Sequence, residues 1–152
     1  MIARSFLQRP IRYREPPFSL GMDRMFGYDG CHMGLTRVTT KISPFGDGKR
    51  SYEAVFLVDT GATDSMIPAP DLEKIGLKKE GKMAYELARG EVREYAYGLA
   101  RIEFMGEPTA GRVIFGEPDC EALLGVTALE SVGIVVDPAN KTLKRLPAIP
   151  LK

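Results

Sequence analysis

Residues 56–63 read Phe-Leu-Val-Asp-Thr-Gly-Ala-Thr. An apolar run ends there in a carboxylate, Asp59, and the chain turns at once. The run Val55-Phe56-Leu57-Val58 is apolar on both faces and is read as a buried strand end, which delivers Asp59 from the core into the turn. Gly61 lets the backbone pack closely or take a positive φ. Burial raises the pKa of a carboxylate, and a second carboxylate nearby raises one pKa of the pair further. Two such groups can share one proton. One then acts as general base on a water while the other donates a proton to a substrate carbonyl. A simpler reading stands beside this one: an isolated Asp-Thr-Gly is a turn whose carboxylate bonds to backbone amides.

Other chemistries find little support. His32 is the only histidine, so a Ser-His-Asp triad or a multi-histidine metal site would have to use it, and it stands in a segment without periodicity. The two cysteines, Cys31 and Cys120, are too few for a disulfide scaffold, and their spacing suits no metal site. They read as free thiols of a reducing compartment. No metal or other cofactor is expected. Aspartate-based phosphotransfer would want further acidic residues for magnesium and an alternating parallel αβ pattern, and the sequence offers neither. A net charge of +1 provides no basic field for nucleic acid. No apolar stretch is long enough to span a bilayer, and the Arg-rich N-terminus lacks the apolar centre of a signal peptide. The expectation is a soluble, cytoplasmic protein with no membrane partner.

The elements that would position Asp59 are short. The length of 152 residues fits one ordinary domain. Short apolar runs among many Gly and Pro favour a mainly β architecture. Residues 1–32 show no period, are punctuated by Pro10, Pro16, Pro17, Gly21, Gly27 and Gly30, and are read as a flexible arm. Met33 is read as an alternative start, and the domain is placed over residues 33–152. Strands are expected over 35–42 and 51–59, joined by a turn containing Gly46 and Gly48. A short extended piece at 65–68 leads into a helix over 70–75, with Pro70 near its first position and Gly76 past its end. Residues 83–88 and 91–97 form a hairpin around Arg89-Gly90. The alternation then shifts phase, from Tyr95, Tyr97 and Leu99 to Ala100, Ile102 and Phe104, which predicts a bulge or bend at Gly98. After a turn at 105–108 come strands over 110–115 and 122–125, then a short helix over 127–132. A last hairpin joins 134–136 to 142–146. Tyr85, Tyr95 and Tyr97 could serve the hairpin or a cleft, but strand packing is the simpler reading for each, because aromatics favour strands.

At the apolar pair Leu57-Val58 and the Asp59-Thr60-Gly61-Ala62 that follows, the sequence resembles the retropepsin-like aspartic proteases, the retroviral type. Their signature is an apolar pair followed by Asp-Thr/Ser-Gly-Ala. Leu123-Leu124-Gly125, followed by Val126-Thr127-Ala128-Leu129, is similar to the family's second motif, an apolar pair and Gly beneath the catalytic loop with a short helix behind it. The hairpin at Arg89-Gly90 stands where the family has its flap. Order and spacing agree over about residues 35–146, and the chain looks like a single-domain member of the bacterial type.

The resemblance implies a small closed β-barrel-like acid-protease fold with one or two short helices and a flap hairpin. It implies an aspartic endopeptidase without cofactor, a homodimer that hydrolyses a polypeptide substrate with a water activated between two Asp59 residues. Asp59 would be catalytic. Thr60 would brace the two catalytic loops across the dimer, Gly61 would let substrate approach, and Ala62 would complete the loop at the edge of the cleft. Thr63 and Asp64, with Arg89 and Gly90 at the flap tip, would bind substrate. Leu123, Leu124 and Gly125 would support the loop.

The chain departs from the pattern in places. Thr63 stands where many members have Asp, and Val126 where they have Arg. Those two often form an ion pair, so their joint absence strands neither charge. The flap tip has one glycine rather than several, and Pro147-Ala148-Ile149-Pro150 extends the C-terminus. The signature occurs once: Val136-Asp137-Pro138 carries Pro in place of the Thr, and Asp71 falls in the expected helix. A rival of another class is a non-catalytic module that keeps the fold for dimerisation or peptide binding, since fold does not guarantee function. The intact Asp-Thr-Gly-Ala argues against it.

Overall fold

The apolar runs become strands with the spacing the sequence predicts. In the computed structural model, which describes residues 35–46 and 49–151, the first two strands are β1 (Arg37–Ser43) and β2 (Tyr52–Asp59). They are followed by β3 (Ser65–Pro68), helix α1 (Ala69–Lys74), β4 (Gly81–Glu86), β5 (Val92–Phe104) and β6 (Glu107–Gly116). The chain ends with β7 (Leu123–Gly125), helix α2 (Val126–Ser131), β8 (Ile134–Asp137) and β9 (Thr142–Arg145). The expected arm over 1–32, with Cys31 and His32, and the proposed start at Met33 lie outside the described residues. Both helices begin one residue earlier than expected. Among the described residues no helix is long and apolar enough to cross a membrane.

Six strands close on themselves in the order β1-β2-β7-β3-β6-β5, and β5 pairs back onto β1. This is the small closed barrel expected. Closure leaves those strands no free edge. Two pairings are parallel, β2 with β7 and β3 with β6. Each joins segments distant in sequence, as parallel pairing requires. The inward residues Ile42, Phe56, Ile67, Ile102, Phe104, Val113 and Leu124 are essentially inaccessible to water, and Leu72 of α1 and Leu129 of α2 plug the same core. At about 1.5–3 kcal/mol for each large apolar side chain buried, this core is the main stabilising term.

Strand β4 stands outside the closed set and, among the described residues, pairs only with β5. The β5–β6 ladder begins at Tyr97↔Ile114, so residues 82–96 form a two-stranded ribbon beyond the barrel. Its tip is the expected Arg89-Gly90 turn, with Gly90 at φ 77, a conformation that suits glycine.

Two expectations are corrected. The end of β2 is not buried on both faces. Phe56 is fully buried, but Val55 is 56% exposed and Leu57, Val58 and Asp59 are half-buried. A barrel strand has one face toward the core, and among the described residues no other element covers the second. There is also no bulge at Gly98. The β5–β6 register runs unbroken from Tyr97↔Ile114 to Phe104↔Glu107. The two alternating sets are the two faces of one regular strand: Gly98, Ala100, Ile102 and Phe104 point inward, and Leu99 and Arg101 outward. Glycine at 98 has a different cause. A Cβ there would lie 2.5 Å from the Lys78 carbonyl oxygen, so the chain following α1 passes where a side chain would stand.

The β8–β9 hairpin is locked at its turn by Asp137. Its carboxylate accepts from the Ala139 and Asn140 amides at 3.1 and 3.3 Å and from Asn140 Nδ2 at 2.8 Å, and it pairs with Lys144. Lys144 foremost, then Asn140, holds this carboxyl well below its ordinary 3.8. A depressed folded-state pKa contributes stability above the unfolded value that is lost as pH falls through the folded one. Asp137→Ala is therefore expected to be less stable than wild type at pH 7 in urea titrations, with the difference shrinking steadily below pH 3.8. A difference that stays constant down to pH 2 would contradict this account.

Candidate active site

Asp59 is the last residue of β2, and the parallel ladder sets Leu57, Val58 and Asp59 beside Leu123, Leu124 and Gly125. The backbone amide of Leu57 donates to the Ala122 carbonyl at 2.9 Å, which anchors the strand one residue before that ladder. The turn closes on itself: the Gly61 amide donates to Asp59 Oδ1 at 2.9 Å and the Ala62 amide to the Asp59 carbonyl at 3.2 Å. The start of α2 then grips it from below. Val126 N donates to the Ala62 carbonyl at 2.8 Å, and both the amide and the hydroxyl of Thr127 donate to the Thr63 carbonyl. The Gly125 amide donates to Ser65 Oγ at 3.1 Å.

Gly125 is where backbone meets backbone. A Cβ on it would stand 2.5 Å from the Asp64 carbonyl carbon and 2.7 Å from the Thr63 carbonyl oxygen, and neither atom can swing aside as a side chain would. The second motif and the Asp59 turn are thus one interlocked unit. One oxygen of the Asp59 carboxylate is oriented by the Gly61 N–H. The described residues offer the other no donor, which leaves it available to a proton or a water. Thr60, Gly61 and Thr63 are exposed and Ala62 is half-buried, so the turn presents itself at the surface of the chain.

The structure brings Asp59, Thr60, Gly61, Ala62 and Thr63 together with Leu123, Leu124 and Gly125. Arg89 and Gly90 sit apart from them at the exposed tip of the ribbon, with no hydrogen bond to the turn among the described residues. Asp64 departs from expectation. Its side chain is only 8% exposed and does not line an open cleft. It faces inward because Oδ2 is taken by protein donors: the Tyr85 hydroxyl at 2.8 Å and Arg112 Nη1 at 3.4 Å. A buried carboxylate needs such partners.

Arg112 is therefore a partner of Asp64 that the sequence reading missed, and Tyr85 one that it set down first as strand packing. Tyr85 does more than pack. Burial first, then its bond to Asp64, pushes its pKa up to about 12, so the phenol keeps its proton and remains a donor. Tyr97 lies under the Arg112 guanidinium, 4.6 Å from ring centroid to Cζ. One signal for Arg112 was visible: a lone cation amid the apolar run of residues 110–115, a position that asks for a buried anion.

A closed six-stranded barrel, an Asp-Thr-Gly-Ala turn at the end of a strand, a glycine motif braced beneath it and a hairpin beyond the barrel define a retropepsin-like aspartyl protease domain. The comparison with protein families agrees. The model for gag-polyprotein putative aspartyl protease matches residues 49–131, from before β2 to the end of α2, and the chain belongs to this family. No curated protein matches it.

The interlock predicts the effect of a single methyl group. Gly125→Ala is expected to lower stability by about 3 kcal/mol or more, at the upper end of overpacking costs, and to disorder the Asp59 turn. Urea denaturation together with the Gly61 amide chemical shift would check this. A variant with unchanged midpoint and unchanged shift would show that the contact is not tight.

Proposed function

We propose that the protein is an aspartic endopeptidase that works as a homodimer, with Asp59 of each chain forming the catalytic pair. The observation that carries this is the Asp59 turn itself, a half-buried carboxylate held by a backbone amide on one oxygen and backed by Gly125, in a turn whose Thr60, Gly61 and Thr63 are exposed. Acid–base hydrolysis by two carboxylates needs a second aspartate, and the Asp-Thr-Gly-Ala signature occurs once in the sequence. A two-fold axis through the turn provides the other, since symmetry makes the surface self-complementary. The exposure of Val55 and the half-burial of Leu57 and Val58 are consistent with a surface that a second copy covers.

In this reading one carboxylate takes a proton from the water as its oxygen attacks the scissile carbonyl carbon. The other, protonated, gives its proton to the carbonyl oxygen. The tetrahedral diol collapses, the C–N bond breaks, and a proton goes to the leaving amine, leaving a carboxylic acid and an amine. Thr60 braces the two turns and Gly61 leaves room for the peptide. Thr63 contacts the substrate beside the turn, and Arg89-Gly90 closes over it from the ribbon tip.

Digestion of casein, an unstructured protein, tests this directly. Asp59→Asn keeps the shape but removes the acid–base function, and kcat/KM is expected to fall by about 10²–10⁴-fold or more with fold and dimer intact. Activity should decline at alkaline pH, where both members of the pair ionise. Specific activity should fall on dilution below the dimer dissociation constant, and excess Asp59→Asn should poison the wild type by forming mixed dimers. A monomer by light scattering that retained full specific activity would overturn the two-chain site, and wild-type rates from Asp59→Asn would overturn the assignment of Asp59.

A further inference from the structure

The ribbon of residues 82–96 has little to hold it in place. Among the described residues it has no strand pairing to the barrel, and most of its own residues are exposed. A two-stranded ribbon alone is marginally stable in water, so side-chain contacts at its base decide where it lies. Ala96 packs against the core, and the polar contacts converge on two residues outside the ribbon. Asp64, four residues after the turn begins at Thr60, accepts the Tyr85 hydroxyl of β4. Arg112 of β6 reaches the same Asp64 oxygen, the Met83 sulfur of β4 at 3.1 Å and the face of Tyr97 of β5. Tyr85 also packs at a tilt on Tyr95 of the opposite strand, with ring centroids 6.4 Å apart, so pinning Tyr85 pins both strands.

We propose that Asp64, Tyr85 and Arg112 form a latch that holds the hairpin down on the barrel, and that the latch has to release before a polypeptide chain can enter. The release step rests on the protease reading above; the latch itself does not. Asp64 suits the anchoring role because its own backbone is fixed against Gly125, which ties the hairpin to the catalytic turn rather than to a mobile loop. The Tyr85 hydroxyl suits it because burial and the Asp64 bond keep it protonated. Asp64 is in this view a positioning residue that does not touch substrate.

The test uses the full chain with Asp59→Asn, so that self-digestion plays no part, and compares it with the same protein carrying Tyr85→Phe. Hydrogen exchange at the amides of residues 82–96 is expected to accelerate about tenfold, the order for losing one hydrogen bond to a carboxylate. Amides of β2, β6 and β7 should be unchanged. The association rate of fluorescein-labelled casein should rise by the same factor, because entry is limited by the fraction of unlatched hairpin. Arg112→Gln, which removes both the charge and the reach of Nη1, should give a smaller change of the same kind, because its bond to Asp64 at 3.4 Å is longer than that of Tyr85 at 2.8 Å. Unchanged exchange at 82–96, or acceleration spread evenly over the barrel, would overturn the latch. Accelerated hairpin exchange with an unchanged association rate would overturn its role in admitting substrate. If hairpin exchange accelerates and casein binds neither protein, the latch stands and the protease reading fails.

Discussion

The site depends on one close approach, the parallel pairing of β2 with β7 that sets Asp59 beside Gly125. Because Gly125 has no side chain, the Thr63–Asp64 backbone crosses it at distances no Cβ would permit. Four backbone or side-chain donors of residues 125–127 then reach the far side of the turn. A carboxylate at a surface turn would ordinarily wander among rotamers. Here its turn is braced from below and its own oxygen from within, and peptide units have far less freedom than side chains. Preorganisation of this kind is what acid–base chemistry requires of its groups.

The barrel explains why such a crossing can exist. Residues 57–59 and 123–125 are far apart in sequence, and only closure of the six strands brings them into register. Short strands suffice because the barrel interior is filled from every side: β7 is three residues long, yet Leu124 is fully buried. The two helices serve the same end. Helix α2 starts directly from Gly125, and its first two amides cap the turn carbonyls instead of pointing into solvent, which satisfies donors that any helix start leaves unpaired.

Asp64 adds a second constraint. A carboxylate taken out of water has to find donors, and it finds them on β4 and β6. Satisfying one buried charge therefore helps to fix the base of a ribbon that, among the described residues, shares no strand ladder with the barrel beyond β5 itself. The segment that carries the Asp59 turn and the ribbon share that requirement.

Much of this was legible in the chain. Asp59-Thr60-Gly61-Ala62 after an apolar pair, Leu123-Leu124-Gly125, the ribbon tip at Arg89-Gly90 and both short helices are local patterns, written in residues a few positions apart and in the backbone limits of Gly and Pro. The inward turn of Asp64 was not legible, because its donors lie 21 and 48 residues away and nothing near Asp64 announces them. Gly98 was misread for the same reason. The cause of that glycine is the Lys78 carbonyl, which lies next to it only after the chain has folded. The open face of β2 was misread because an apolar run shows that both faces are oily but not that something in the same chain covers both. The sequence by itself determined which residues could turn, alternate and carry a proton. Tertiary structure alone decided which backbones would touch, since contact between distant segments is set by barrel closure and register and not by any property of the residues taken one at a time.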